Sequence, residues 1–316
     1  ASYRRQRQMC IRDSPNKARF IFKNSISIVI DEFHSFLGND RGDQLRSLLN
    51  RLEKFAKYCP RRIGLSATIG DENYIINALD SKNSSNTKII NESISGKHSI
   101  KLSLKGYENE LNIEEELENT SPEEIERKKN NSPDILITKD IFRFRDQTNL
   151  VFPNSIRNVE NFVYEGNFLC NQKEEDKIFF PHHSLLSNNL RKDVEGKAKE
   201  GKKPMTIVCT STLELGIDIG SVDNVFQIYA PLSVASLRQR LGRSGRRGND
   251  SVLRIHIVEN CIKEDPKYVD LLRYKLVKTI AILKLMSEDW YETENRSSVS
   301  LCITAHQILA LLKQLG

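Results

Sequence analysis

The residues best equipped for chemistry fall in clusters far apart along the chain. Asp31-Glu32-Phe33-His34 follows the apolar run SISIVI, Ser25 to Ile30. A carboxylate at the C-terminal end of a buried strand can hold Mg2+ through water, and a second one beside it can orient the attacking water in phosphoryl transfer. Taken alone, D-E-x-H also describes an ordinary acidic strand end. Ser66-Ala67-Thr68 is equally ambiguous alone, since small hydroxyl residues commonly fill turns. Gln239-Arg240-Leu241-Gly242-Arg243-Ser244-Gly245-Arg246-Arg247 is far more specific. Its glycines permit close backbone approach. Arginines three apart on a helical turn point to one side and can grip a triphosphate bidentately. A charge run is usually a solvated face, but the regular Gly/Arg spacing argues against that.

A phosphate cradle of the form G-x-x-x-x-G-K-[ST] is absent from the chain. Gly96-Lys97 is followed by His98, and Gly201-Lys202 by Lys203. The thirty residues before Asp31 leave no room for it, because a strand–crossover–strand unit alone needs about 30. The six cysteines (Cys10, Cys59, Cys170, Cys209, Cys261, Cys302) include no C-x-x-C pair. That argues against a zinc site or a disulfide framework and for reduced thiols in a cytoplasmic protein. His182 and His183 fit a structural or backbone-contacting role better than a metal site, and Trp290 fits a core better than a base-stacking wedge. The net charge of +6 is too mild to diagnose a nucleic-acid partner. Its placement says more: five arginines lie between Arg238 and Arg247, whereas Asn109 to Glu126 is acidic. No apolar run approaches the roughly 18 residues that span a bilayer. The basic start lacks the apolar core of a signal peptide.

These groups need elements to position them. At 316 residues the chain can form two domains. SISIVI suits a buried parallel strand. Leu45, Leu48, Leu49, Leu52, Phe55, Ala56 and Cys59 recur at helical spacing over Asp43–Cys59, and Pro60 ends that helix. Ile63–Ala67 reads as a strand and Asn73–Leu79 as a short helix. The rhythm predicts a doubly wound α/β domain. Residues 81–134 are rich in Asn, Ser, Glu and Lys. They read as a connection with a strand near Ser99–Leu104 and a polar helical piece near Pro122–Lys129. A second α/β rhythm starts near Ile135, with strands at Leu150–Phe152, Met205–Cys209, Val222–Tyr229 and Val252–Val258 and helices at Ser155–Tyr164 and Val234–Leu241. From Asp265 onward the tail reads as helix.

In this order the segments resemble the motifs of superfamily 2 helicases of the DEAD/DEAH-box type, most closely the Lhr-like (large helicase-related) branch. DEFH at Asp31 resembles motif II, GLSATIG at Gly64 motif III, and VFPNSIRNVENF at Val151 motif IV. HHSLLSNNLR at His182 resembles the branch's HHGSL segment, with Ser184 in place of glycine. TSTLELGIDIG at Thr210 resembles motif V, QRLGRSGRRG at Gln239 motif VI, and LVKTIAILKLMSEDWYE at Leu276 the approach to a winged-helix domain. The resemblance runs from about Phe20 to the C-terminus.

The resemblance implies an α/β fold with two RecA-like domains of the P-loop NTPase type, the first truncated, followed by the start of a winged-helix domain. Its expected divisions are a non-native leader (1–15), the C-terminal half of RecA-like domain 1 (16–80), a connection (81–134), RecA-like domain 2 (135–262) and the winged-helix start (263–316). The leader stretch Tyr3 to Ser14 resembles translated sequencing-adapter read-through, and the C-terminus is expected to stop inside the winged helix.

Expected roles follow by position. Asp31 binds Mg2+ through water, Glu32 polarises the attacking water, and His34 meets Gln239 across the cleft. Ser66 and Thr68 couple ATP state to domain closure. Gly216 and Asp218 lie near the nucleotide, and Arg243 and Arg246 are arginine fingers, a device worth about 10³–10⁵ in rate. Asn154, Ser155, Thr210 and Ser211 contact phosphates of the bound strand, which positions it without reading sequence. The implied activity is ATP-dependent 3′-to-5′ translocation or unwinding of single-stranded or duplex DNA, with ATP and Mg2+ as cofactors and no membrane partner. The alternatives are an RNA helicase acting on RNA or an RNA–DNA hybrid, and a nucleic-acid-binding remnant without ATPase. The chain alone is expected to be inactive for want of the P-loop.

Overall fold

A computed structural model describes residues 20, 22–54, 56–66, 70–90, 99–109, 131–210, 213, 220, 222–245, 250–262, 266, 268–290, 292 and 300–315. The chain divides into two units, residues 1–93 with 291–316, and residues 94–290.

In the first unit β1 (Ser27–Ile30) pairs in parallel with β2 (Arg61–Gly64), Ile30 opposite Gly64. Helix α1 (Asp40–Glu53) starts and ends earlier than the apolar spacing suggests. Asn39 caps it by accepting a hydrogen bond from the Gly42 amide at 3.1 Å. Beyond Lys54 the chain turns back, with the Lys57 amide donating to the Lys23 carbonyl at 2.8 Å. Gly42 is required by space: a Cβ there would lie 1.6 Å from the Phe36 carbonyl oxygen. Helix α2 (Glu72–Asp80) is capped by Asp71, whose carboxylate accepts from the amides of Asn73 and Tyr74. Ile30, Phe33, Leu49, Ala78 and Leu79 form the core of this unit.

The second unit is a six-stranded parallel sheet of order β3-β8-β7-β4-β6-β5. Its strands are β3 (Ile100–Asn109), β4 (Asn149–Phe152), β5 (Phe179–His182), β6 (Thr206–Cys209), β7 (Asn224–Ile228) and β8 (Ser251–Asn260). The central strands bury both faces, as parallel strands between helices must. Leu150, Phe152, Ile207, Val225 and Ile255 face one core, under α5 (Asn188–Glu200), α6 (Val234–Leu241) and α8 (Tyr274–Ser287). Val151, Val208, Phe226 and Ile228 face the other, under α3 (Pro133–Phe142) and α4 (Ile156–Gln172). Strand β3, from the segment expected as a connection, pairs with β8 over its full length, Ile100 opposite Ser251 and Asn109 opposite Asn260. β5 and α5 have no counterpart among the elements expected from sequence. β5 contains Pro181, which is tolerated because β5 is an edge strand. α5 is polar, yet Ser187 caps it and Gly201, at φ 60°, ends it.

Among the described residues the tail is helical in three pieces. The single turn α7 (Tyr268–Leu271) precedes α8, which packs on α6 and β8 in the second unit. α9 (Leu301–Leu315) packs on α1 in the first unit. There the Ser47 hydroxyl donates to Gln307 Oε1 at 3.1 Å, and the Ser300 amide to Asp43 Oδ2 at 3.0 Å. Among the described residues no strand follows β8 and no helix is long and apolar enough to cross a membrane. The polar helical piece expected near Pro122–Lys129 lies outside the described residues.

Candidate functional site

In the first unit, parallel pairing sets the ends of β1 and β2 side by side. The Leu65 amide donates to the Ile30 carbonyl at 2.9 Å, and the Phe33 amide to the Leu65 carbonyl at 2.8 Å. The buried Phe33 ring lies against Gly64, where a Cβ would come within 3.2 Å of it. This anchors the segment and leaves Asp31 exposed and Glu32 half-exposed beyond the strand end. Glu32 holds φ 50°, ψ 46°, the left-handed region. Its amide donates to Asp31 Oδ1 at 3.0 Å. His34 Nδ1 lies 3.1 Å from Ser66 Oγ and 3.6 Å from Glu32 Oε2. Burial lowers the His34 pKa and the Glu32 carboxylate opposes that shift, so the ring is neutral at pH 7. Asp31, Glu32, His34 and Ser66 are thus brought together; Thr68 lies outside the described residues.

The donor set suits a hard, hydrated cation. Asp31 offers an exposed carboxylate whose second oxygen takes no hydrogen bond among the described residues. No group of three or more His, Cys, Asp or Glu side chains is placed to cage a metal among those residues. One or two carboxylates completed by water is the usual arrangement for Mg2+. An open groove of about 1030 Å³ runs from Asp31 and Glu32 along β2, past Arg62 and Ser66.

In the second unit Asn154, Ser155 and Thr210 lie just beyond the C-terminal ends of β4 and β6, whereas Arg243 follows α6 beside Ser244, which is bonded to Ser251 and Val252 at the start of β8. The connections leave β4 and β7 for opposite faces of the sheet, which makes the crevice between them a switch point of the kind where α/β sheets bind ligands. Asn154 bridges it, its Nδ2 donating to the Ala230 carbonyl at 3.1 Å. Ser155 caps α4, its Oγ accepting from the Asn158 amide at 3.2 Å. The Thr210 amide donates to the His182 carbonyl at 3.3 Å. Gln239 lies on α6, capped by Ser233, and Arg243 follows its end in a turn closed on the Arg240 carbonyl at 3.0 Å. Ser211, Gly216, Asp218 and Arg246 lie outside the described residues. His34 and Gln239 belong to different units.

Arg240 has no role among those expected from sequence, yet among the described residues it is the buried arginine of this region. Its guanidinium lies 4.9 Å over the Phe152 ring and donates to Gln227 Oε1. Gln227 Nε2 in turn donates to the carbonyls of Ile228 and Tyr229 at 3.0 and 3.2 Å. One arginine thereby ties α6 to the ends of β4 and β7. Its only sequence signal is its place in the Gly/Arg run. His182 Nε2 pairs with Glu195 at 3.0 Å and His183 Nε2 with Glu160 at 2.6 Å, so both histidines are engaged by helices flanking β5. Trp290, expected in a core, is instead exposed, and its amide donates to the Leu285 carbonyl at 3.0 Å.

Comparison with known proteins agrees with this layout. Residues 4–75 match the DEAD/DEAH box helicase family and residues 128–248 the helicase conserved C-terminal domain. The chain is 32% identical over 225 residues to the ATP-dependent helicase Lhr-Core of Methanothermobacter thermautotrophicus, covering 70% of this chain and 24% of that protein. It is 34% identical over 220 residues to the Lhr-Core helicase of Methanocaldococcus jannaschii, covering 70% and 23%. The chain therefore spans about a quarter of the length of these relatives. The structure of Mycobacterium smegmatis helicase Lhr bound to ssDNA and AMP-PNP superposes with a TM-score of 0.71 at 24% identity, over 93% of this chain and 35% of that one. The motif order, the paired strand ends and these matches place the chain in superfamily 2, as a member of the Lhr-like helicases.

Proposed function

We propose that the chain is part of an ATP-dependent nucleic-acid helicase or translocase that moves 3′-to-5′ on DNA. The observation that carries this is the meeting of motifs II and III: Asp31 and Glu32 lie at the solvent-facing end of β1, and His34 is bonded to Ser66 at the end of β2. Relatives named as ATP-dependent helicases, and a neighbour bound to ssDNA and AMP-PNP, support it. In this reading Asp31 holds Mg2+ through water, which would supply charge neutralisation at the phosphates. Glu32 accepts the proton of the attacking water. Ser66 and Thr68 couple ATP state to domain closure, Ser66 through its contact with His34. Arg243 and Arg246 neutralise charge developing on the transferred group, with Gly216 and Asp218 beside it. Asn154, Ser155, Thr210 and Ser211 hold the strand by its phosphates, so binding is sequence-tolerant and weakens steeply with salt. The 316 residues contain no G-x-x-x-x-G-K-[ST], and the chain by itself is proposed not to hydrolyse ATP.

The test is strand-stimulated ATP hydrolysis by this chain beside a version extended to carry a P-loop. Turnover by the extended version alone, abolished by Glu32→Gln, is the expected result. Hydrolysis by the chain alone, lost in Glu32→Gln, would overturn the inactivity proposal. Binding without turnover in either version would leave the nucleic-acid-binding remnant. A neighbour bound to ssRNA, with TM-score 0.57, keeps an RNA-directed reading in view. Stimulation of the extended version by RNA over DNA would decide for it, since 2′-hydroxyl contacts separate the two.

A further inference from the structure

Beside the strand-holding residues of the second unit lies a cavity that none of the expected roles uses. It measures about 480 Å³ and is lined by Asp134, Arg157, Asn158, Glu160 and Asn161. It opens along the first turns of α4, directly after the Ser155 cap and beside the β4/β7 switch point. Asp134, Asn161 and Glu160 are held in place. Asp134 Oδ1 accepts from the Tyr229 hydroxyl at 2.7 Å and Oδ2 from Asn161 Nδ2 at 3.4 Å. Glu160 is fixed by His183. Tyr229 itself sits at φ 64°. That backbone is costly for a residue with a Cβ and points to a turn that its surroundings over-determine.

The lining decides what fits. Arg157 has no hydrogen-bond or ion-pair partner among the described residues. The Asn158 side chain is likewise unspent. A phosphate would meet two carboxylates, and an apolar side chain would face mostly polar walls. A nucleobase edge presents donors and acceptors in one plane, which is what a guanidinium, two amides and two carboxylates can answer. One turn further along the same face, at the i+3 and i+4 spacing from Asn161 and Glu160, Tyr164 is 68% exposed. An exposed ring beside a polar hollow is the arrangement of a single-strand stacking platform.

We propose that this cavity receives one unstacked base of a single strand whose backbone is held at the adjacent α4 N-terminus, and that Tyr164 stacks on the neighbouring base. The proposal rests on the nucleic-acid-binding reading above. It is tested by fluorescence anisotropy of the full chain with two labelled oligonucleotides of about a dozen residues, near the upper single-strand site size: oligo-dT and the same backbone made wholly of abasic residues. Wild type is expected to bind oligo-dT about 5-fold or more tighter than the abasic strand. Tyr164→Ala and Arg157→Ala should each reduce that ratio severalfold while leaving abasic-strand affinity, its salt slope and the melting temperature unchanged. Equal weakening of both strands would make Arg157 a phosphate contact and overturn the base site, as would no change in the ratio. In both cases salt-dependent binding of the abasic strand would survive, so the nucleic-acid reading would stand. Failure of wild type to bind either strand would overturn both.

Discussion

Glu32 carries the clearest conflict between stability and role. Its left-handed backbone, φ 50° and ψ 46°, suits glycine, yet the carboxylate is what the proposed chemistry needs. Glu32→Gly should raise the stability of the first unit by about 1 kcal/mol, the usual relief at such a position, while removing hydrolysis from a P-loop-extended version. Thermal denaturation and an ATPase assay on the same samples check both halves, and a fall in melting temperature would show that the turn is not strained. Asp140 is the opposite case, a charge kept for structure. It is buried in the second unit, with His256 Nε2 at 2.8 Å, Lys105 Nζ at 2.6 Å and Arg143 Nη1 at 3.5 Å. The hydrogen bond from His256, seconded by Lys105, holds its carboxyl well below the usual carboxylate range against the opposing effect of burial. Removing one partner of such a set costs about 3 kcal/mol. Asp140→Asn should therefore destabilise the second unit by that order in urea denaturation. A depressed folded-state pKa means the stabilisation is complete above the unfolded carboxylate value, near about pH 4, and drains away as pH falls below it. The gap between wild type and variant should be flat above about pH 5 and shrink in more acid buffer.

Helix α4 shows at the element scale what sequence could and could not supply. A helix from Ser155 is legible in the sequence, but its expected end at Tyr164 falls short of the observed Gln172, so Gly166 enters it only in the fold. In the fold Gly166 makes room for a neighbour, since a Cβ there would lie 2.5 Å from the Phe179 ring, which is itself buried. Gly166→Ala should destabilise the second unit by about 1–3 kcal/mol through overpacking, outweighing the ~1 kcal/mol that alanine gains in an ordinary helix. A gain in stability on chemical denaturation would show that α4 can shift off β5. Strands Asn149–Phe152, Thr206–Cys209 and Asn224–Ile228 are legible because parallel strands buried on both faces read as mostly apolar runs, Gln227 being the mid-strand exception. β3 is half legible. Its Lys101, Ser103 and Lys105 alternate with apolar residues, so it looks like an edge piece of a linker, and only the pairing with β8 across about 150 positions makes it part of the sheet. Motifs II, III and VI name their residues from sequence. The His34–Ser66 contact, the Arg240 tie and the Tyr229–Asp134 bond are not visible there, because each joins groups distant in the chain.

At the scale of the whole molecule the two units differ in how much core they own. The second buries two clusters, one on each face of a six-stranded sheet, with Leu150, Val151, Phe226 and Leu253 fully enclosed. Among the described residues the first rests on a two-stranded sheet and a core of Ile30, Phe33, Leu49, Ala78 and Leu79, with Ile26, Val29 and Leu65 left substantially exposed. Two strands are marginal unless helices cover them, and here α1 and α2 supply most of that cover. Heating should therefore give two transitions, the first unit melting at the lower temperature. Substitutions assign them. Gly42→Ala forces a Cβ into the Phe36 carbonyl and should depress only the lower transition. Asp140→Asn should depress only the upper one. Limited proteolysis at a temperature between the two should leave a fragment containing β3 through α8, residues 100–287, and degrade the segment around β1 and β2. A single transition that both substitutions move together would mean that the units fold as one, and that the small core before residue 94 takes its stability from the larger one rather than from its own packing.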